Sequence, residues 1–145
     1  VVVLQPGELP ANPEIQPYTS SVAALEQVGS FRAALISYQA GLQRWPDSTA
    51  LQFGTANTLQ QTGDSIRAIA AYEGLIAQNP DYWFATNNLA HTLALMGCKA
   101  HALNAISRYQ EKTGADLPQM LLDTQKNIAA QPDEQCLHLP EVEPG

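Results

Sequence analysis

The chain has 145 residues, enough for one domain with its own core and too few for two of ordinary size. Charged residues make up 14% and apolar residues 45%, with fourteen Gln filling the polar balance, so the composition is that of a folded chain. Seven Lys plus Arg stand against fourteen Asp plus Glu, and a formal charge of -7 gives phosphate backbones and anionic lipid no electrostatic attraction, which excludes nucleic acid and membrane surfaces as expected partners.

Val1 to Leu4 is a β-branched apolar run ended by Gln5-Pro6-Gly7, which reads as a strand and turn belonging to a preceding sheet. With no Met, basic leader or cleavage motif at its start, the chain is expected to be a piece of a longer protein. Four prolines between Pro6 and Pro17 make 1–17 an arm from an upstream domain. Between residues 18 and 130 only Pro46, Pro80 and Pro118 interrupt the chain, and caps and breakers predict helices at 18–28, 31–44, 48–61, 65–78, 82–95, 99–112 and 117–130. Ser30, Asp47, Asp64 and Asp81 stand where N-caps belong. The seventh helix sets Leu117, Leu121, Leu122 and Ile128 against Asp123, Lys126 and Asn127, the pattern of a cap over an apolar end. No apolar run approaches the roughly 20 residues of a membrane span. Residues 131–145 form an acidic, Pro-rich tail.

Pro46 and Pro80 are 34 residues apart, and other columns share that spacing: Gly29, Gly63 and Gly97; Ala34, Ala68 and Ala102; Leu25, Leu59 and Leu93; Tyr38, Tyr72 and Ile106. Val22, Ala56 and Ala90 share it with small residues, and Gly114 takes the breaker's place in the third unit. The set resembles the tetratricopeptide repeat, over units at about 14–46, 47–80 and 81–114. The resemblance implies an all-α, three-repeat helix-hairpin solenoid, a right-handed superhelix, with residues 18–130 as the domain and 117–130 as its cap. The sequence departs from the family where Gln52 and Thr86 replace an early aromatic, where Val22 stands for a smaller residue, and where a late Ala is Gly41, Leu75 or Tyr109.

In this family the first helices line a concave surface. Carried over by position, that surface comprises Thr19, Ala23 and Glu26, then Ala50, Phe53, Asn57 and Gln60, then Phe84, Asn87, Asn88 and His91. Carboxamides satisfy both the N–H and the C=O of an extended peptide, and Phe53 and Phe84 offer apolar area. The candidate peptide-binding set is therefore Phe53, Asn57, Gln60, Phe84, Asn87, Asn88 and His91; the competing account is a plain solvated face. A cationic clamp for acidic C-termini is not expected, because Thr19, Phe84 and Asn88 occupy its Lys and Arg positions. Tyr82 and Trp83 read as packing between repeats.

No nucleophile stands with a base and an orienting group, so this chain is not expected to be an enzyme, and neither cofactor nor metal is expected. Cys98 and Cys136 leave three accounts open: a disulfide tying the tail to the third repeat, two thiols, or a zinc site with His101 and His138. The bridge is the expected arrangement of the three, and it implies an oxidising compartment. Cys98 is also placed at a helix start, where the macrodipole favours a thiolate.

The opening stretch to Pro10, with Val22-Ala23-Ala24-Leu25-Glu26 and Arg44-Trp45-Pro46-Asp47-Ser48, resembles the junction in bacterial envelope proteins that fuse a papain-like, bacteriocin-processing-type cysteine peptidase to tetratricopeptide repeats. That resemblance implies a periplasmic or envelope location, often with a lipid anchor, and a peptidase nucleophile upstream of this chain. The expected function is non-catalytic binding of a protein or extended peptide. Recruitment of substrate to such a peptidase, or self-association as a scaffold, are the alternatives. Residues 18–130 hold all seven basic and eight acidic residues, a balance of -1, so the acidity lies in the arms and the exclusion of phosphate rests on a surface without Lys or Arg.

Overall fold

The computed structural model describes residues 14–136 and 139; the expected strand at Val1 to Leu4, most of the arm and His138 lie outside them. Among the described residues there are seven helices and no strand: α1 (Ile15–Gln27), α2 (Phe31–Arg44), α3 (Thr49–Gln61), α4 (Ser65–Gln78), α5 (Trp83–Leu95), α6 (Lys99–Thr113) and α7 (Gln119–Ala129). The chain divides into two compact units inside α4, between Ala71 and Tyr72.

The 34-residue period is a repeated backbone hydrogen-bond pattern. Gly29, Gly63 and Gly97 have φ of 79°, 89° and 77°, a left-handed conformation that glycine adopts without a steric penalty. Each N–H bonds three residues back, to Glu26, Gln60 and Ala94. The next N–H, from Ser30, Asp64 and Cys98, returns to the carbonyl of Leu25, Leu59 and Leu93 at 2.8, 2.9 and 2.9 Å. These paired bonds satisfy the last carbonyls of one helix. Ser30, Asp64 and Cys98 then start the next helix, their carbonyls accepting from Ala34, Ala68 and Ala102, and all three alanines are fully buried.

Several boundaries differ from expectation by one to three residues, among them α7, which runs Gln119–Ala129 rather than 117–130. α1 starts at Ile15, so Pro17 falls in its first turn, where its missing N–H costs no helical bond. α3 is capped by Ser48, whose Oγ accepts from Leu51 N at 3.3 Å, and Tyr82 takes the N-cap position of α5 without a side-chain capping bond, in place of Asp47 and Asp81. Asp64 does cap α4, its Oδ1 accepting from Arg67 N at 3.2 Å, whereas the Ser30 side chain makes no capping bond.

In the first unit α1 packs on α2, and α3 packs on both. Tyr18, Val22, Ala34, Tyr38 and Leu51 form its core. A β-carbon at Gly41 would come within 2.7 Å of the Tyr18 ring, and one at Gly54 would overlap the Tyr38 ring, so each glycine makes room for a tyrosine. The third repeat reverses the sizes: the position equivalent to Tyr18 is Thr86, and that equivalent to Gly41 is the buried Tyr109.

In the second unit α5 packs on α6, and α7 lies against both. Leu89, Leu93, Ile106, Leu121 and Ile128 are each at most 3% exposed. Leu121, Thr124 and Ile128 are the buried face of α7, the apolar side expected of a cap, with Thr124 as an unexpected polar member.

Candidate peptide-binding surface and the cysteine clasp

In the first unit the candidate residues fall on one side of α3, since Phe53, Asn57 and Gln60 keep the i, i+4, i+7 spacing, and all three are half-buried. Asn57 and Phe53 already have partners within the protein. On α1 two of the polar residues carried over by position are also engaged. Thr19 Oγ1 donates to the Ile15 carbonyl at 2.7 Å, and Glu26 Oε1 accepts from the Tyr38 hydroxyl. Burial, with the Glu26 carboxylate holding the phenolic proton, pushes the Tyr38 hydroxyl well above the usual tyrosine range.

In the second unit the candidate residues lie on α5. Phe84 is 46% exposed, its ring stacked on Trp83 at 3.9 Å between centroids and tilted against Tyr82 at 5.7 Å. Tyr82 and Trp83, expected to pack between repeats, thus lie against Phe84 within the third repeat. Asn88 is half-buried one turn further on and, like Phe53 and Asn57, already has a partner within the protein, and His91 is exposed.

Asn87 points to a different job. It is 7% exposed, and its Oδ1 accepts from Thr124 Oγ1 of α7 at 2.6 Å. His91 Nε2 is 3.3 Å from the same Thr124 oxygen. The Asn87 carboxamide, the Thr124 hydroxyl and the His91 ring thus converge at one point between α5 and α7. The cap helix is seated on α5 through this cluster, and Asn87 and His91 have it as their partner. The signal for Thr124 in the sequence was a lone hydroxyl on an otherwise apolar helix face.

Cys98 and Cys136 are joined by a disulfide with a Cα–Cα distance of 4.7 Å, as the bridge account expects. Cys98 is 1% exposed and His101 half-buried beside it. The returning segment has a second fastening that sequence reasoning missed. Lys99 Nζ donates to the Gln131 carbonyl at 2.8 Å and lies 3.4 Å from Asp133 Oδ1.

A cleft of about 170 Å³ also opens in the second unit, floored by Ile76, Pro80, Leu89 and Tyr109. Arg108 and Glu73, 3.9 Å apart, stand at it, and both are half exposed.

No family model matches the sequence, and no curated protein is detectably similar to it. Solved structures do match. A tetratricopeptide repeat protein from Parabacteroides merdae ATCC 43184 superposes with a TM-score of 0.64 at 19% identity, over 82% of this chain. The chain spans about half of that structure, 51% of its length. The fold is that of the tetratricopeptide repeat, as the 34-residue columns predict.

Proposed function

We propose that this chain is a non-catalytic protein- or peptide-binding module, the interaction part of a larger bacterial envelope protein. The observation that carries the reading is the surface of α5: Phe84, exposed and held by Trp83, with the Asn88 carboxamide one turn away. A rigid aromatic beside a carboxamide suits an extended peptide, the ring taking a side chain and the amide the backbone. Phe53 and Asn57 keep the same spacing on α3, where both are half-buried and already have partners. The partner is a protein or an extended peptide rather than nucleic acid or lipid, because no Lys or Arg stands among these residues. A location in the periplasm or envelope is part of the proposal, supported by the Cys98–Cys136 bridge, which persists in oxidising compartments. The resemblance to an upstream cysteine peptidase junction starts in residues 1–10, outside the described residues.

The test is selection from a displayed random-peptide library on the oxidised chain, with titration of the enriched peptides. Saturable binding that falls at least tenfold in Phe84→Ala with Asn88→Ala supports the reading. Enriched peptides that bind this variant as well as the parent refute the α5 surface. Failure to enrich any peptide, together with concentration-dependent oligomers in sedimentation, favours the scaffold alternative.

A further inference from the structure

The C-terminal segment is laid back over the α5–α6 turn and held at several points. Lys99 binds the Gln131 carbonyl and Asp133, a β-carbon on Gly97 would meet the Glu134 side chain, and Cys136 closes the strap on Cys98. His101 stands one turn along α6 from Cys98, on the same side of the helix. A ring nitrogen of His101 and the two sulfurs all lie within 4.8 Å of one another.

We propose that, when the bridge is reduced, Cys98, His101 and Cys136 bind a soft divalent cation of the zinc type. The strap is then held closed either by the disulfide or by the metal. Two thiolates and an imidazole are the donors zinc prefers, and tetrahedral bonds of about 2.3 Å to sulfur and about 2.0 Å to nitrogen put ligand atoms roughly 3.5–3.8 Å apart. The His101 nitrogen is within 4.8 Å of both sulfurs, not far from that separation, and binding requires that the bonded sulfurs move apart to it. The Lys99 contacts do not involve either cysteine, so they keep the strap on α6 while this happens. Half-buried Cys136 gives solvent a way in for a water as fourth ligand.

The redox step uses a dithiol as reductant. A thiolate of the dithiol attacks the Cys98–Cys136 bond to form a mixed disulfide, its second thiol closes the reductant's own disulfide, and two electrons and two protons thereby pass to Cys98 and Cys136 as two thiols. Metal binding then displaces the two thiol protons to solvent.

The experiment is a titration of the phosphine-reduced full chain with Co²⁺ alone, without oxygen, and then displacement with Zn²⁺. Expected are a 1:1 endpoint, a thiolate-to-cobalt charge-transfer band and visible bands of tetrahedral intensity, all absent from the oxidised chain. His101→Asn leaves the disulfide and the fold in place, and on reduction it should lose more affinity than the about 10–100-fold that accompanies loss of a group beyond the ligands. Absence of the charge-transfer band, an unchanged affinity in His101→Asn, or the same spectrum from the oxidised chain overturns the proposal. Helical circular dichroism is recorded throughout. Loss of helix on reduction that metal does not restore also overturns it.

Discussion

Thr124 of the cap helix donates its hydroxyl proton to Asn87 Oδ1 of α5 at 2.6 Å, across 37 residues of sequence. Both side chains are buried, so the bond fixes where α7 sits on the last repeat as well as covering it. Thr124→Val keeps the shape and removes the donor, leaving the Asn87 oxygen desolvated. The expected loss is about 1–3 kcal/mol in urea unfolding, and Asn87→Leu in the same background should recover part of it. A Thr124→Val variant as stable as the parent would show that apolar contacts alone seat the cap.

Two helical glycines should respond to alanine in opposite directions. Gly54→Ala drives a methyl into the Tyr38 ring and is expected to lower stability by roughly 1–3 kcal/mol, with a shift in tyrosine near-UV dichroism. At Gly74 nothing lies within 4 Å of the added carbon, and Gly74→Ala should raise stability by about 0.5–1 kcal/mol through helix propensity. Equal effects from the two would contradict the packing described.

Thr86 Oγ1 and Gln52 Oε1 are buried without a hydrogen-bond partner, and the two positions are one repeat apart. Both replace the family's early aromatic. Thr86 is 1% exposed, so Thr86→Val removes a desolvated hydroxyl with little change of shape. The melting temperature should rise, by an amount on the order of 1 kcal/mol in stability. A fall would mean that the hydroxyl is satisfied in solution.

The Tyr38 hydroxyl is pushed upward by burial and then by Glu26, and burial also raises Tyr18 and Tyr82. For an acid raised in the folded state, the folded form favours the proton. Its contribution is complete below the unfolded tyrosine value near 10 and is lost as pH rises from there through the folded value. Urea midpoints should therefore hold steady below pH 9 and decline above pH 10. Tyr38→Phe, less stable at neutral pH, should show a shallower alkaline decline; an equal slope would remove Tyr38 from this account.

The helices and their period were legible in the sequence because they depend on short-range causes. Gly29, Gly63 and Gly97 impose a left-handed residue, and the bonds they permit reach back to Leu25, Leu59 and Leu93 within five residues. The Cys98–Cys136 pair was legible for another reason, since two cysteines allow only one bridge. Boundaries at Ile15, Ser48 and Tyr82 differ by one to three residues from those expected, because Pro17, Asp47 and Asp81 carry propensities that the local backbone did not use.

What tertiary structure alone decided is which polar groups remain available to a partner. By position Phe84, Asn87 and His91 belonged to one surface, yet the docking of α7 takes Asn87 and touches His91, while Phe84 stays exposed. Sequence period assigns a residue to a helix face, and that is a property of a few consecutive residues. Whether the face meets water or another helix depends on groups more than thirty residues away, as Thr124 and Lys99 show. The repeat was therefore determined by the sequence itself, and the choice between a binding surface and a packing surface by the fold.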